Sequence, residues 1–193
     1  ARIPASESNP VQRIIEERIA MLEFYWRIRE NTLIKAFYNR INMLSVAKRD
    51  IRWLVETNPV IDSQRVPIII DGLQHGLNGN LSIAIHMLVP QVEQIFRKVL
   101  FHCGIITTKL DSGIQEEIEL NELFQTPKFS HPLSKVVGTD MFFELQAILV
   151  EKTGANLRNL LAHGLLSYPE TMSYTSANFF CLFVRLLIIL LSS

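Results

Sequence analysis

Cysteine is almost absent from this chain. Cys103 and Cys181 are the only two in 193 residues. They cannot build a disulfide framework and form no C-x-x-C pair, so the usage fits a reducing compartment such as the cytoplasm. Net charge is absent as well, because 19 Lys/Arg balance 19 Asp/Glu. Without a global basic field, a nucleic-acid partner would have to be held by a local patch. Glycine is scarce and none of it forms a phosphate-cradling loop; G-x-S-x-G and H-E-x-x-H are missing too. The longest apolar stretch, Phe179 to Leu191, is interrupted by Arg185 and falls short of the roughly 20 residues a bilayer span needs. It reads as a buried core helix, and no transmembrane span is expected. The first residue is Ala, which reads as a processed, trimmed or internal start, with no signal-peptide pattern behind it.

Hydrophobic residues are plentiful, at 48% against 20% charged, and the mean hydropathy is +0.20. That composition excludes a disordered chain and supplies one domain with a large core or two small ones. Residues 1–60 hold 10 Lys/Arg against 7 Asp/Glu, a mild excess read as a solvated helix face.

The helical period dominates. Ser8 can cap a helix with Pro10 in its first turn, and Val11, Ile15, Leu22, Trp26, Leu33, Phe37, Ile41, Leu44, Ile51 and Leu54 then mostly recur every three or four residues. Asn31-Thr32 is the expected break and Asn58-Pro59 the stop. Phe24, Tyr25, Trp26, Arg27 and Arg29 could stack bases, although aromatics at this spacing are more often core and the arginines solvated. A short helix opens at Pro67 and ends near Gly76. Asn80 caps a helix from Leu81 to Cys103, with a kink expected at Ile85–Pro90. Residues 105–138 are less regular, with a short helix near Ile118–Gln125 and breaks at Pro127 and His131-Pro132. Further helices follow over Thr139–Leu149, Leu157–His163 and about Thr171–Leu191, with Gly154 and Gly164 as stops and Tyr168-Pro169 as a turn. No strand alternation is visible. The fold class is all-α, a helical bundle, divided into an N-terminal helical segment (1–60) and a bundle (61–193).

The five histidines are His75, His86, His102, His131 and His163, and no two sit at helical i, i+3 or i, i+4 spacing. No metal site or cofactor is expected. The informative segment is Asn156-Leu157-Arg158-Asn159-Leu160-Leu161-Ala162-His163-Gly164. On a helix Asn159 and His163 share a face, and Arg158 flanks it. A cation, an amide and an imidazole suit an RNA phosphodiester: arginine forks onto phosphate and histidine moves protons near neutral pH. The spacing alone says little, because Arg97-Lys98-Val99-Leu100-Phe101-His102 repeats R-x4-H. In that second copy Lys98 stands where the first has Asn159, so His102 is expected to be structural and Arg97 at most to line a cleft.

Arg158, Asn159 and His163 resemble the R-x4-6-H motif of ribonucleases in the HEPN (higher eukaryote and prokaryote nucleotide-binding) superfamily, which commonly has a polar residue after the arginine. The wider set Asn156-Leu157-Arg158-Asn159 and Ala162-His163-Gly164-Leu165 is similar to a branch that includes the endoplasmic-reticulum-membrane-associated RNA degradation proteins. A second block supports the likeness: Gly72-Leu73, Gly76, Ala84 to Glu93, and Arg97. The resemblance covers roughly residues 66–191. It implies an up-and-down bundle, here with a long N-terminal helical extension, that homodimerises with its motif helices at the interface. It also implies metal-independent RNA cleavage leaving 2′,3′-cyclic phosphate and 5′-hydroxyl ends, in defence, toxin or RNA-processing roles. Arg158, Asn159 and His163 would then be catalytic, with Asn156 and Arg97 binding substrate. The alternative is a non-catalytic module that keeps the fold and binds RNA, a nucleotide or a protein partner.

Overall fold

The computed structural model describes residues 10–44, 47–111 and 114–192. Ser8, the expected first cap, lies outside them. The chain is mostly helical, as its periodicity predicts. Helix α1 (Pro10–Arg29) passes through a π-helical turn (Glu30–Ile34) directly into α2 (Lys35–Leu44). The turn falls at Asn31-Thr32, where a break is expected. Instead of breaking, Asn31 Nδ2 and Thr32 Oγ1 donate to the carbonyls of Arg27 and Ile28, 3.0 and 2.8 Å away. The π turn takes up one extra residue and so rotates everything beyond it. Ile34 is therefore buried where the α-period places Leu33, which is 69% exposed, and half-buried Tyr38 replaces Phe37. Val11 is exposed as well; the face of α1 that packs inward carries Ile15, Ile19, Leu22 and Trp26.

Helix α3 (Lys48–Glu56) leads through a 3₁₀ turn (Ser63–Arg65) into α4 (Val66–Leu77) and α5 (Leu81–His102). Asn80 caps α5, its side chain accepting from the Ile83 amide, and α5 stays helical through Pro90. Helix α5 is the axis of the fold, with residues from Leu81 to Leu100 buried along it. Its close fit to α4 depends on Gly72, where a Cβ would meet the Leu88 side chain at 2.6 Å; Gly76 of α4 instead makes room for the Phe180 ring, which a Cβ there would overlap.

After α5 the chain departs from the sequence reading. It forms an antiparallel hairpin, β1 (Thr108–Asp111) and β2 (Ile114–Glu117), with Thr108 opposite Glu117. Four residues per strand are too few to display an alternation. Helices α6 (Leu120–Gln125), α7 (Pro127–Val137) and α8 (Thr139–Leu149) follow. Helix α7 continues through Pro132, where a break is expected. Burial of Phe129, Leu133 and Val137 on one face offsets the single backbone bond that proline removes. After short helices α9 (Leu157–Ala162) and α10 (Tyr168–Thr171), in place of the turn expected at Tyr168-Pro169, α11 (Tyr174–Leu191) closes the core. Tyr168–Leu191 has the length and hydropathy of a membrane span, but 56% of its apolar window is buried inside the fold. Phe179, Phe180, Phe183, Leu186 and Leu187 sit at the centre of that core.

One polar junction ties the N-terminal helix to the bundle. Glu144 on α8 is buried, and its Oε1 accepts from Trp26 Nε1 and Arg29 Nη1, both at 2.8 Å. Asn178 on α11, also buried, donates to the Trp26 carbonyl at 3.1 Å. Ile19, Trp26, Ile34, Leu54, Val55 and Val60 share one hydrophobic cluster with the bundle. Glu144→Ala leaves a buried indole donor without an acceptor and Arg29 without a counter-charge. The expected loss is about 2–4 kcal/mol of unfolding free energy, read by urea titration with Trp26 emission shifting to the red; Glu144→Gln, which keeps an acceptor, is expected to lose less.

Candidate functional site

Helix α9 is only six residues long, and the loop before it sets its position. Gly154 lies so close to α8 that a Cβ there would sit 2.2 Å from the Ala147 carbonyl oxygen, and the Ala155 amide donates to that oxygen at 3.2 Å. Asn156 then takes a left-handed conformation (φ 48°), which asparagine tolerates better than most residues. Leu157 is buried and anchors the first turn. Gly164, at φ 65°, ends the helix, and the Gly164 and Leu165 amides bond back to the Leu161 and Leu160 carbonyls.

A cleft of about 420 Å³ opens between α9 and α5, lined among others by Arg158, His163, Arg65, Glu93 and Gln94. Arg158 and His163 therefore share one cavity. His163 is exposed and its imidazole has no partner among the described residues. Arg158 is held by a relay: its Nη1 donates to Asn159 Oδ1 at 2.9 Å, and Asn159 Nδ2 donates to Asn156 Oδ1 at 2.6 Å. Asn156 and Asn159 thus support the guanidinium from its own helix, while Arg158 itself lines the cleft.

The opposite wall is α5. Glu93 faces Arg158, with 3.7 Å between Oε2 and Nη2. Its other oxygen pairs with Arg97 one turn on. Arg97 is turned away from the cleft toward the hairpin: Nε and Nη2 donate to the Ile118 carbonyl at 3.2 and 2.6 Å, and Nε lies 3.2 Å from Glu117 Oε2. Its side chain is 11% exposed. Four charges of alternating sign, Arg158, Glu93, Arg97 and Glu117, run in a line from α9 across α5 to β2.

The two R-x4-H segments behave differently. Five residues along a regular helix turn through about 500°, so the two side chains point some 140° apart. Arg97 and His102 both lie within α5 and accordingly line separate cavities, one at the hairpin and one beside Pro59, Val60 and Leu190. Arg158 and His163 instead line one cleft; α9 ends at Ala162, and His163 follows as its cap with φ −93° and ψ 2°.

Arg65 and Glu93 were not singled out from sequence. The Glu93–Arg97 pair has the i, i+4 spacing of a helical ion pair and was legible as such. Arg65 comes from the turn before α4 and carried no sequence signal; its Nη1 donates to Gln91 Oε1 at 3.1 Å. Among the described residues no cluster of three or more His, Cys, Asp or Glu side chains could hold a metal ion. No protein-family model matches the chain, and neither curated proteins nor solved structures gave a match.

The stability effects of the site residues follow from their burial. Arg97→Ala strips a partner from Glu93 and the donors from the Ile118 carbonyl, and is expected to cost about 3 kcal/mol. His163→Ala removes an exposed, unbonded ring and is expected to cost less than about 1 kcal/mol. Urea denaturation of the two variants checks the contrast.

Proposed function

We propose that the chain is a metal-independent endoribonuclease of the HEPN type. The observation that carries the reading is the convergence of Arg158 and His163 on one cleft, because the same spacing elsewhere in the chain does not converge. An RNA phosphodiester bound there would place its two nonbridging oxygens on the Arg158 guanidinium, in the bidentate geometry arginine favours. His163 would take the proton from the ribose 2′-hydroxyl. The 2′-oxygen attacks the adjacent phosphorus, the bond from phosphorus to the 5′-oxygen breaks, and the departing oxygen takes a proton. The products are a 2′,3′-cyclic phosphate and a 5′-hydroxyl. Arg158, pre-aimed by Asn159 and Asn156, stabilises the extra negative charge of the pentavalent transition state without reorganising at that moment. Arg65 adds a second cation to the cleft wall.

The reaction needs one group to remove a proton and another to deliver one. The cleft holds a single imidazole, so the reading includes a two-fold dimer in which His163 is the base and the partner subunit's His163 the acid, or the reverse. Light scattering at micromolar concentration is expected to give the dimer mass; a monomer would argue strongly against the shared site.

A second reading, a non-catalytic module that binds RNA, a nucleotide or a protein partner, is favoured by Glu93. Its carboxylate competes with phosphate for Arg158. Cleavage assays in EDTA separate the two readings. The expected result is persistent cleavage with cyclic-phosphate ends, lowered by His163→Ala roughly 10²- to 10⁴-fold at unchanged melting temperature. Arg158→Ala is expected to lose comparable activity and also substrate affinity, and Arg158→Lys to regain only part, since an ammonium cannot reproduce the fork. A wild type inert on every RNA tested would remove the enzyme reading.

A further inference from the structure

Helix α5 carries a second concavity, of about 380 Å³, directly beyond the Arg158–His163 cleft. Gln94 lines both and forms their common wall, and the Glu93–Arg97 ion pair is the partition beneath it. We propose that this concavity is a stacking subsite for a base of single-stranded RNA whose strand continues into the Arg158–His163 cleft, with Phe101 as the platform. The proposal rests on the reading of that cleft as an RNA site.

Phe101 lies seven residues after Gln94, two helical turns along the same face of α5 and about 10 Å further on. The residue is 68% exposed, and Ile106 is 70% exposed; the Lys98 ammonium lies over the ring, so a stacking base takes the ring surface that Lys98 leaves uncovered or displaces the ammonium from it. That ammonium is 5.7 Å from the ring centroid, near enough to meet the backbone phosphate of a base that stacks on Phe101. Thr107, Thr108 and the Gln94 amide line the same concavity and offer donors and acceptors to base edges. An aromatic face beside cations and hydrogen-bonding groups is the combination by which proteins track single strands with little sequence preference; here Asp62 and Glu117 share the lining with the two cations. A duplex keeps its bases inside and has no face to offer Phe101.

The charges temper the site. Lys98 Nζ is 2.8 Å from Asp62 Oδ1, and Arg97 is paired with Glu93 and Glu117. A phosphate has to displace Asp62 from Lys98, so binding is expected to be moderate and salt-sensitive, with stacking on Phe101 supplying the sequence-independent share.

The test is fluorescence anisotropy of a labelled single-stranded RNA octamer with the full chain at low salt. The expected result is that Phe101→Ala weakens binding about 10- to 100-fold, the range that loss of one base–aromatic stack covers, with the melting temperature unchanged. Phe101→Trp is expected to restore affinity. Asp62→Asn, which frees Lys98, is expected to tighten it several-fold. The duplex of the same sequence is expected to show no dependence on Phe101. Equal octamer affinity for wild type and Phe101→Ala overturns the subsite, as does a wild type that binds no octamer. Binding that depends on Phe101 without cleavage keeps the subsite and removes only the ribonuclease reading.

Discussion

The arrangement of the candidate site depends on the Glu93 carboxylate, which stands between two guanidiniums. On one side it pairs with Arg97, which fastens the hairpin to α5 through the Ile118 carbonyl. On the other it faces Arg158 across the cleft. This half-buried carboxylate has a cationic neighbour at each oxygen. The pairing fixes the height of Arg158 above α5 and keeps Arg97 out of the cleft. The same charge sets a threshold for any anionic ligand, which has to offer Arg158 more than Glu93 does. A multidentate phosphodiester with a strand behind it meets that threshold better than a free monoanion.

A comparable polar fixture holds the N-terminal helix. Glu144 receives the Trp26 indole and the Arg29 guanidinium, and Asn178 reaches the Trp26 carbonyl. Because these groups are buried, a slip of α1 by one turn would strand all of them. Hydrophobic contacts between α1 and the bundle supply area without register; the Glu144 and Asn178 contacts supply the register.

The aromatic and arginine cluster at Phe24–Arg29 illustrates how tertiary position assigns roles within one short stretch. Trp26 is buried and bonded to Glu144, and Arg29 shares that partner. Arg27 lies over the Tyr174 ring, while Phe24 and Tyr25 remain exposed. Those two rings meet edge-to-face, 6.2 Å between centroids, and Tyr25 borders a concavity between α1 and α8. The exposed aromatic beside the candidate site is Phe101, which the sequence shows only as a member of the second R-x4-H segment.

Sequence by itself determined the all-helical class, the positions of α4, α5, α8 and α11, and the caps at Asn80 and Gly164, because periodicity and capping are local properties of the chain. It also marked Arg158, Asn159 and His163 as a set. It could not reveal the π turn, which shifts the buried positions from Leu33 and Phe37 to Ile34 and Tyr38, since that turn packs against α11, a partner distant in the chain. The hairpin was hidden because its strands are too short to alternate. Whether an arginine and a histidine five residues apart line one cleft is a tertiary matter: Arg158 and His163 do, where α9 ends one residue before His163, and Arg97 and His102 within α5 do not. Arg65 and Glu93 join the site from elements about 65 to 95 residues earlier in the chain, a convergence only the packed tertiary structure can bring about.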